Sequence, residues 1–153
     1  MKYLSSAVMA AALMMAGAAQ AADTQAPAKA GAGVKPLALR KVMQGLDADM
    51  QAIAGGIARE DWPMIAKLAP RIAEHPQPPA AEQKRVLSFL GKDAEKFEHY
   101  DEQTHHAAEE LHEAATRADG KGVIAAYATI QTLCLGCHQS FRKPIVTHFY
   151  GQR

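Results

Sequence analysis

The sequence predicts an all-α protein, an antiparallel four-helix bundle, on three observations. Apolar residues recur at three- and four-residue steps along four segments, no run alternates in the manner of a strand, and proline or glycine clusters separate the segments. With 153 residues, 48% hydrophobic and 22% charged, the chain has the size and make-up of one globular domain. That composition excludes a disordered, collagen-like or multi-pass membrane protein. Seventeen Lys+Arg against sixteen Asp+Glu leave +1, too little basic excess for binding nucleic acid through its phosphates.

The N-terminus reads as an export signal over residues 1–21. Lys2 gives it a positive start, Ala7 to Ala18 is apolar apart from Gly17, and Ala19-Gln20-Ala21 has the small-x-small form of a cleavage site. An apolar run of about a dozen residues is short of the ~20 that span a bilayer, so cleavage leaves no membrane span and sends residues 22–153 to an oxidising compartment, the periplasm. Residues 22–35 have no periodic apolar face and form a leader. The packed domain is expected over 36–153.

Helix A is predicted from Leu37 to Ala58, with Leu39, Val42, Met43, Leu46, Met50, Ile53 and Ile57 on its inner face. Asp61-Trp62-Pro63 supplies an N-cap and a first-turn proline for helix B, which runs to about Glu74. His75-Pro76-Gln77-Pro78-Pro79 ends it, because prolines remove amide donors and push the preceding residue out of helical geometry. A short helical piece over Glu82 to Leu90 leads to helix C, about Lys92 to Arg117, with Phe97, Tyr100, Thr104, Ala108 and Leu111 facing in. Asp119-Gly120-Lys121-Gly122 breaks the chain. Helix D is expected from about Val123 to Lys143, with Ile124, Tyr127, Ile130, Cys134, Cys137 and Phe141 inward and Pro144 at its end. Trp62, the single tryptophan, is expected to pack at the A–B corner.

The chemistry is concentrated in Cys134-Leu135-Gly136-Cys137-His138, the C-x-x-C-H pattern of covalent c-type haem attachment. Two thiols one helical turn apart each add to a vinyl group of one porphyrin, and His138 presents an imidazole to the iron. The competing readings are a zinc site, which wants a second Cys or His pair, and a thioredoxin-like dithiol, which wants a strand-helix unit. One haem c per chain is the cofactor expected. Helix A runs antiparallel to helix D, so its start faces the haem, and Met43 is placed for the sixth iron position. Met50 lies roughly 10 Å further along at 1.5 Å per residue, and Met64 falls at the far end of the bundle. Met43 has core filling as its alternative role. His105, His106 and His112, among Glu109, Glu110 and Glu113, read as a solvated face, with a surface metal pair of His105 and Glu109 as a weaker option.

Cys134-Leu135-Gly136-Cys137-His138-Gln139-Ser140-Phe141-Arg142 resembles the C-x-x-C-H-x-x-[F/Y]-[R/K] signature of the class II c-type cytochromes, cytochrome c-prime and its low-spin methionine-ligated relatives. The resemblance covers about Leu37 to Lys143. In the low-spin relatives a methionine early in helix A is the sixth ligand and a second follows seven residues later, as Met43 and Met50 do. In the c-prime branch the distal side chain does not ligate, and a five-coordinate haem binds nitric oxide or carbon monoxide. The resemblance also implies that Arg142 lies beside the proximal His138 and that Arg40 or Lys41 pairs with a haem propionate. Residues Pro144 to Arg153 extend past the usual end of the group, either as a cover for the haem edge or as a source of a competing ligand, His148.

Together these features predict a periplasmic monohaem electron carrier, not an enzyme, that docks transiently on redox protein partners. The family resemblance permits a homodimer. A gas-binding cytochrome c-prime is the alternative; a peroxidase-like activity would want a distal acid-base group, and none is expected from the start of helix A.

Overall fold

The computed structural model describes residues 37–151; the expected signal and leader, 1–35, lie outside them. The described chain folds as α1 (Ala38–Ala58), α2 (Trp62–Ala73), α3 (Ala80–Leu90), α4 (Ala94–Thr116), α5 (Gly120–Cys137) and α6 (Lys143–Tyr150). A 3-10 turn, Gly91–Asp93, leads into α4, and a π-helical turn, His138–Arg142, joins α5 to α6. Helices α1, α2, α4 and α5 are the expected A to D and form the all-α four-helix bundle. None of the described helices is long and apolar enough to cross a membrane.

Short connections follow from local chemistry. Asp61 accepts the Met64 N–H at 3.2 Å and Asp119 accepts the Gly122 N–H at 3.0 Å, capping α2 and α5. The residues just before these caps, Glu60 and Ala118, take left-handed backbone angles, φ 56 and 53, to reverse the chain in three residues each. The main core lies between the four helices. Ile53, Ile65, Ile72, Leu111, Val123 and Ile130 are its largest fully buried side chains, each contributing about 1.5–3 kcal/mol. Ala107, Ala108, Ala114 and Ala115 line the buried side of α4 and let it sit close to both α2 and α5. Trp62 packs against this core and against Gly120, where a β-carbon would come within 3.1 Å of its ring.

Helix α2 contains Pro70, which cannot donate to the carbonyl of Ala66 one turn back. His112 of α4 supplies the missing partner: its Nδ1 lies 2.7 Å from the Ala66 oxygen. His112 is therefore half-buried and bonded rather than part of a solvated face. His105 is half-buried as well, and only His106 of the three is exposed.

Two expectations for the last bundle helix are corrected. Ile124 points out, 56% exposed, because the inward row is Val123, Ala126 and Ile130; two adjacent apolar residues made either register possible. Pro144 does not end the helix. The wider π turn over His138–Arg142 precedes it, and Pro144 takes the second position of α6, directly after that turn.

Helix α6 and the crossover helix α3 build a second apolar cluster from Leu37, Val86, Phe141, Ile145 and Phe149. They also fasten the start of α1. Both oxygens of Glu82 accept backbone N–H groups there, from Ala38 and Leu39, each at 2.8 Å, and the Leu37 N–H donates to the Tyr150 hydroxyl at 3.0 Å.

Candidate haem site

Helices α1 and α5 touch sparsely. Tyr127 closes their seam by donating to the Met50 carbonyl at 3.3 Å. Toward the end of α5 the seam opens into a cavity of about 510 Å³, within the size range of cofactor pockets. The start of α1 forms one wall with Leu37, Leu39, Arg40, Met43 and Leu46. The middle of α4 contributes Phe97, Tyr100, Asp101 and Thr104. Cys134, Cys137, His138, Phe141 and Arg142 close it from α5 and the π turn, and Ile145, Val146 and Tyr150 cover it from α6.

The structure thus brings together all six residues singled out from the sequence: Cys134, Cys137, His138, Met43, Arg40 and Arg142 line one cavity. Met50 is buried in the main core and Met64 packs against it, so neither lines the cavity. Lys41 does not line it, which leaves Arg40 as the basic side chain of that pair at the site. The tail covers the cavity through Ile145, Val146 and Tyr150. His148 instead stacks on Phe89, ring centres 4.0 Å apart, and is not among the lining residues.

Helical spacing puts Cys134 and Cys137 on one face, and both are free thiols. Burial pushes both thiols up; Cys137, with the charges of Cys134 and Asp101 adding to burial, reaches about 11. Redox dithiols have depressed values, and no strand occurs among the described residues, so the thioredoxin-like reading has no support. The zinc reading lacks a partner pair at the cysteines. His138 has one flank in solvent and one on the cavity. Partial burial, then the Arg142 guanidinium, hold its imidazole below the usual histidine range, leaving a neutral nitrogen available to a metal. Gly136 lets α5 approach α4: a β-carbon there would stand 2.9 Å from the Tyr100 hydroxyl. Phe141 packs edge-on against Phe97 and Tyr100, fixing the π turn that carries His138.

Two thiols, a neutral imidazole and a thioether around an apolar cavity suit an iron porphyrin held through its vinyl groups. A family model described as Cytochrome C' matches residues 39–142. The chain belongs to the cytochrome c' family. Membership implies a covalently bound haem c, which the donor set accommodates. The matched span ends at Arg142, so α6 lies beyond it. No curated protein and no solved structure matches the chain.

Sequence reading missed several side chains at the cavity. Asp47 of α1, His75 after α2 and Asp101 of α4 line it, so ionisable groups stand there that the apolar periodicity of the helices did not bring forward. His75 is buried, and its Nε2 lies 3.1 Å from Asp101 Oδ1 and 3.0 Å from His105 Nε2. The weaker option of a His105–Glu109 pair does not form: His105 turns one helical turn back to Asp101, at 3.5 Å, and Glu109 faces His106. The Asp101–His105 spacing of four was visible in the sequence; the approach of His75 across two helix ends was not.

Proposed function

We propose that the protein is a periplasmic monohaem electron carrier whose iron is held by His138 and Met43, and that it has no substrate of its own. The observation that carries this reading is that Met43 is the methionine lining the cavity shared by Cys134, Cys137 and His138. When bound, the haem supplies a one-electron Fe(II)/Fe(III) couple, and a thioether ligand with apolar surroundings favours the reduced state. The chain's own residues hold and shield. Leu37, Leu46, Phe97, Phe141 and Ile145 exclude water, and Tyr150 ties α6 to the start of α1. Arg40 and Arg142 set positive charge at the cavity wall for propionates, and Arg142 adds to the burial that holds His138 below the usual histidine range. Leu135, 57% exposed within the attachment motif, offers apolar ground for a transient partner.

A second reading is favoured by the family match, whose description is that of cytochrome c' itself. In it Met43 packs beside a five-coordinate haem that binds nitric oxide or carbon monoxide. The visible spectrum of the reduced holoprotein decides between them. Sharp alpha and beta bands that persist under carbon monoxide support the carrier, and their loss in Met43→Ala assigns the sixth ligand. Broad bands with immediate carbon monoxide uptake by the unsubstituted protein would establish the gas-binding reading instead.

A further inference from the structure

We propose that His75, Asp101 and His105 form a binding site for a divalent transition-metal ion of the zinc class, distinct from the residues assigned to the haem iron. Three side chains converge, one ligand atom from each lying within 4.8 Å of the others: His75 Nε2 to His105 Nε2 is 3.0 Å, His75 Nε2 to Asp101 Oδ1 is 3.1 Å, and the other carboxylate oxygen, Oδ2, is 3.5 Å from His105 Nε2. Zinc–nitrogen and zinc–oxygen bonds of about 2.0–2.1 Å make the edge of a tetrahedron about 3.3 Å. The nitrogen–nitrogen separation and the two nitrogen–oxygen separations bracket that edge, so an ion held by the two nitrogens reaches the carboxylate through one or both of its oxygens with little movement.

The ring of His75 is already oriented for a metal. Its Nδ1 lies 3.3 Å from the Pro76 carbonyl, which accepts and cannot donate, so Nδ1 carries the proton. The lone pair of a neutral ring is then on Nε2, the atom aimed at Asp101 and His105. A backbone carbonyl behind the non-ligating nitrogen is the usual support of a metal-bound histidine. The site holds a proton or a cation between its ligand atoms, because Nε2 and a carboxylate oxygen at 3.1 Å repel without one.

The supporting frame is rigid. Asp101 and His105 are four residues apart on α4, and His75 follows the end of α2, which packs along α4. The two imidazoles meet edge to face, ring centres 4.8 Å apart, as two ligands of one ion do when they do not stack. The His75 side chain is 6% exposed and, like Asp101, lines the haem cavity, whereas His105, 31% exposed and outside that lining, leaves solvent a path to the ion and water a fourth position. Two imidazoles and one carboxylate suit zinc, nickel or copper, and do not provide the six or more oxygens of a calcium site.

The test uses tag-free mature holoprotein with its haem attached. Zinc chloride is titrated by calorimetry, and zinc and iron are counted after gel filtration in metal-free buffer. We expect one zinc per haem iron, at least tenfold weaker binding in both His105→Ala and Asp101→Asn, and unchanged binding in His106→Ala, whose side chain is exposed on the other flank. Circular dichroism and the haem spectrum check that each variant is folded, and Asp101→Asn, the conservative change, decides the matter if His105→Ala is not. Failure of the unsubstituted protein to retain zinc would overturn the site, as would zinc held equally well by folded His105→Ala or Asp101→Asn. The readout is independent of which side chain takes the sixth iron position.

Discussion

Pro70 and His112 predict a measurable coupling between α2 and α4. Replacing His112 by Leu removes the donor 2.7 Å from the Ala66 carbonyl while leaving Pro70 unable to take its place. An orphaned carbonyl at a buried position costs about 1–3 kcal/mol, and Ala66 is half-buried, so a loss of about 1–2 kcal/mol is expected. With a urea dependence of about 1.5 kcal/mol per molar, the unfolding midpoint falls by about 1 M. Pro70→Ala restores an N–H in register with Ala66. In that background His112→Leu should cost less than about 0.5 kcal/mol, because the carbonyl keeps a helical partner. Far-ultraviolet circular dichroism of the four proteins in urea gives the cycle. Equal costs in both backgrounds, within the roughly 0.3–0.5 kcal/mol expected of independent sites, would refute the pairing.

Three further outcomes are expected. Glu82→Ala strips two backbone N–H groups at the start of α1 of their acceptor and should lower stability by about 1–2 kcal/mol, read as a shift in the urea midpoint. Cys137→Ala should leave haem attached through Cys134 alone or lost, and mass analysis showing two thioether bonds in that variant would contradict the attachment. The His75–Asp101 pair should shape stability with pH. Its hydrogen bond to Asp101, partly offset by burial, raises His75, so its contribution is full below about 6.5 and is lost as pH rises through the raised folded value. Burial acts to raise Asp101, but its bond to His75 and the histidine charges outweigh that and lower it, so its contribution is present above about 3.9 and lost as pH falls through the depressed folded value. With chelator present, the stability gap between the unsubstituted protein and Asp101→Asn should therefore be widest from about pH 4 to 6.5 and narrow on either side; a gap that grows toward pH 9 would contradict the pairing.

The sequence was most informative where one helix face or one short motif carries the signal. Val42, Met50 and Ile53 sit inward as their spacing requires, and Cys134, Cys137 and His138 line one cavity because a helix puts them there. Met43 was placed at that cavity by antiparallel geometry alone. What the sequence did not show depends on partners far along the chain. Glu82 reaches α1 across more than forty residues, and His75 meets Asp101 across 26. Neither contact has a periodicity to reveal it. Pro144 misled for a different reason: a proline forbids an ordinary α-helical bond, but it does not forbid a wider turn before it. Ile124 and Val123 were equally apolar, and which one turned inward was settled by packing against α4.

The anchoring of the first turn of α1 has a mechanical consequence. Sliding a helix by one residue advances it about 1.5 Å and rotates every side chain about 100°, enough to swing Met43 out of reach of the opposite wall. Glu82 and Tyr150 prevent that slip, and both belong to segments outside the four-helix bundle. The crossover and the tail thus act as a stop that indexes the helix, and a change at Glu82, which is not among the side chains lining the cavity, will detune the haem surroundings from a distance.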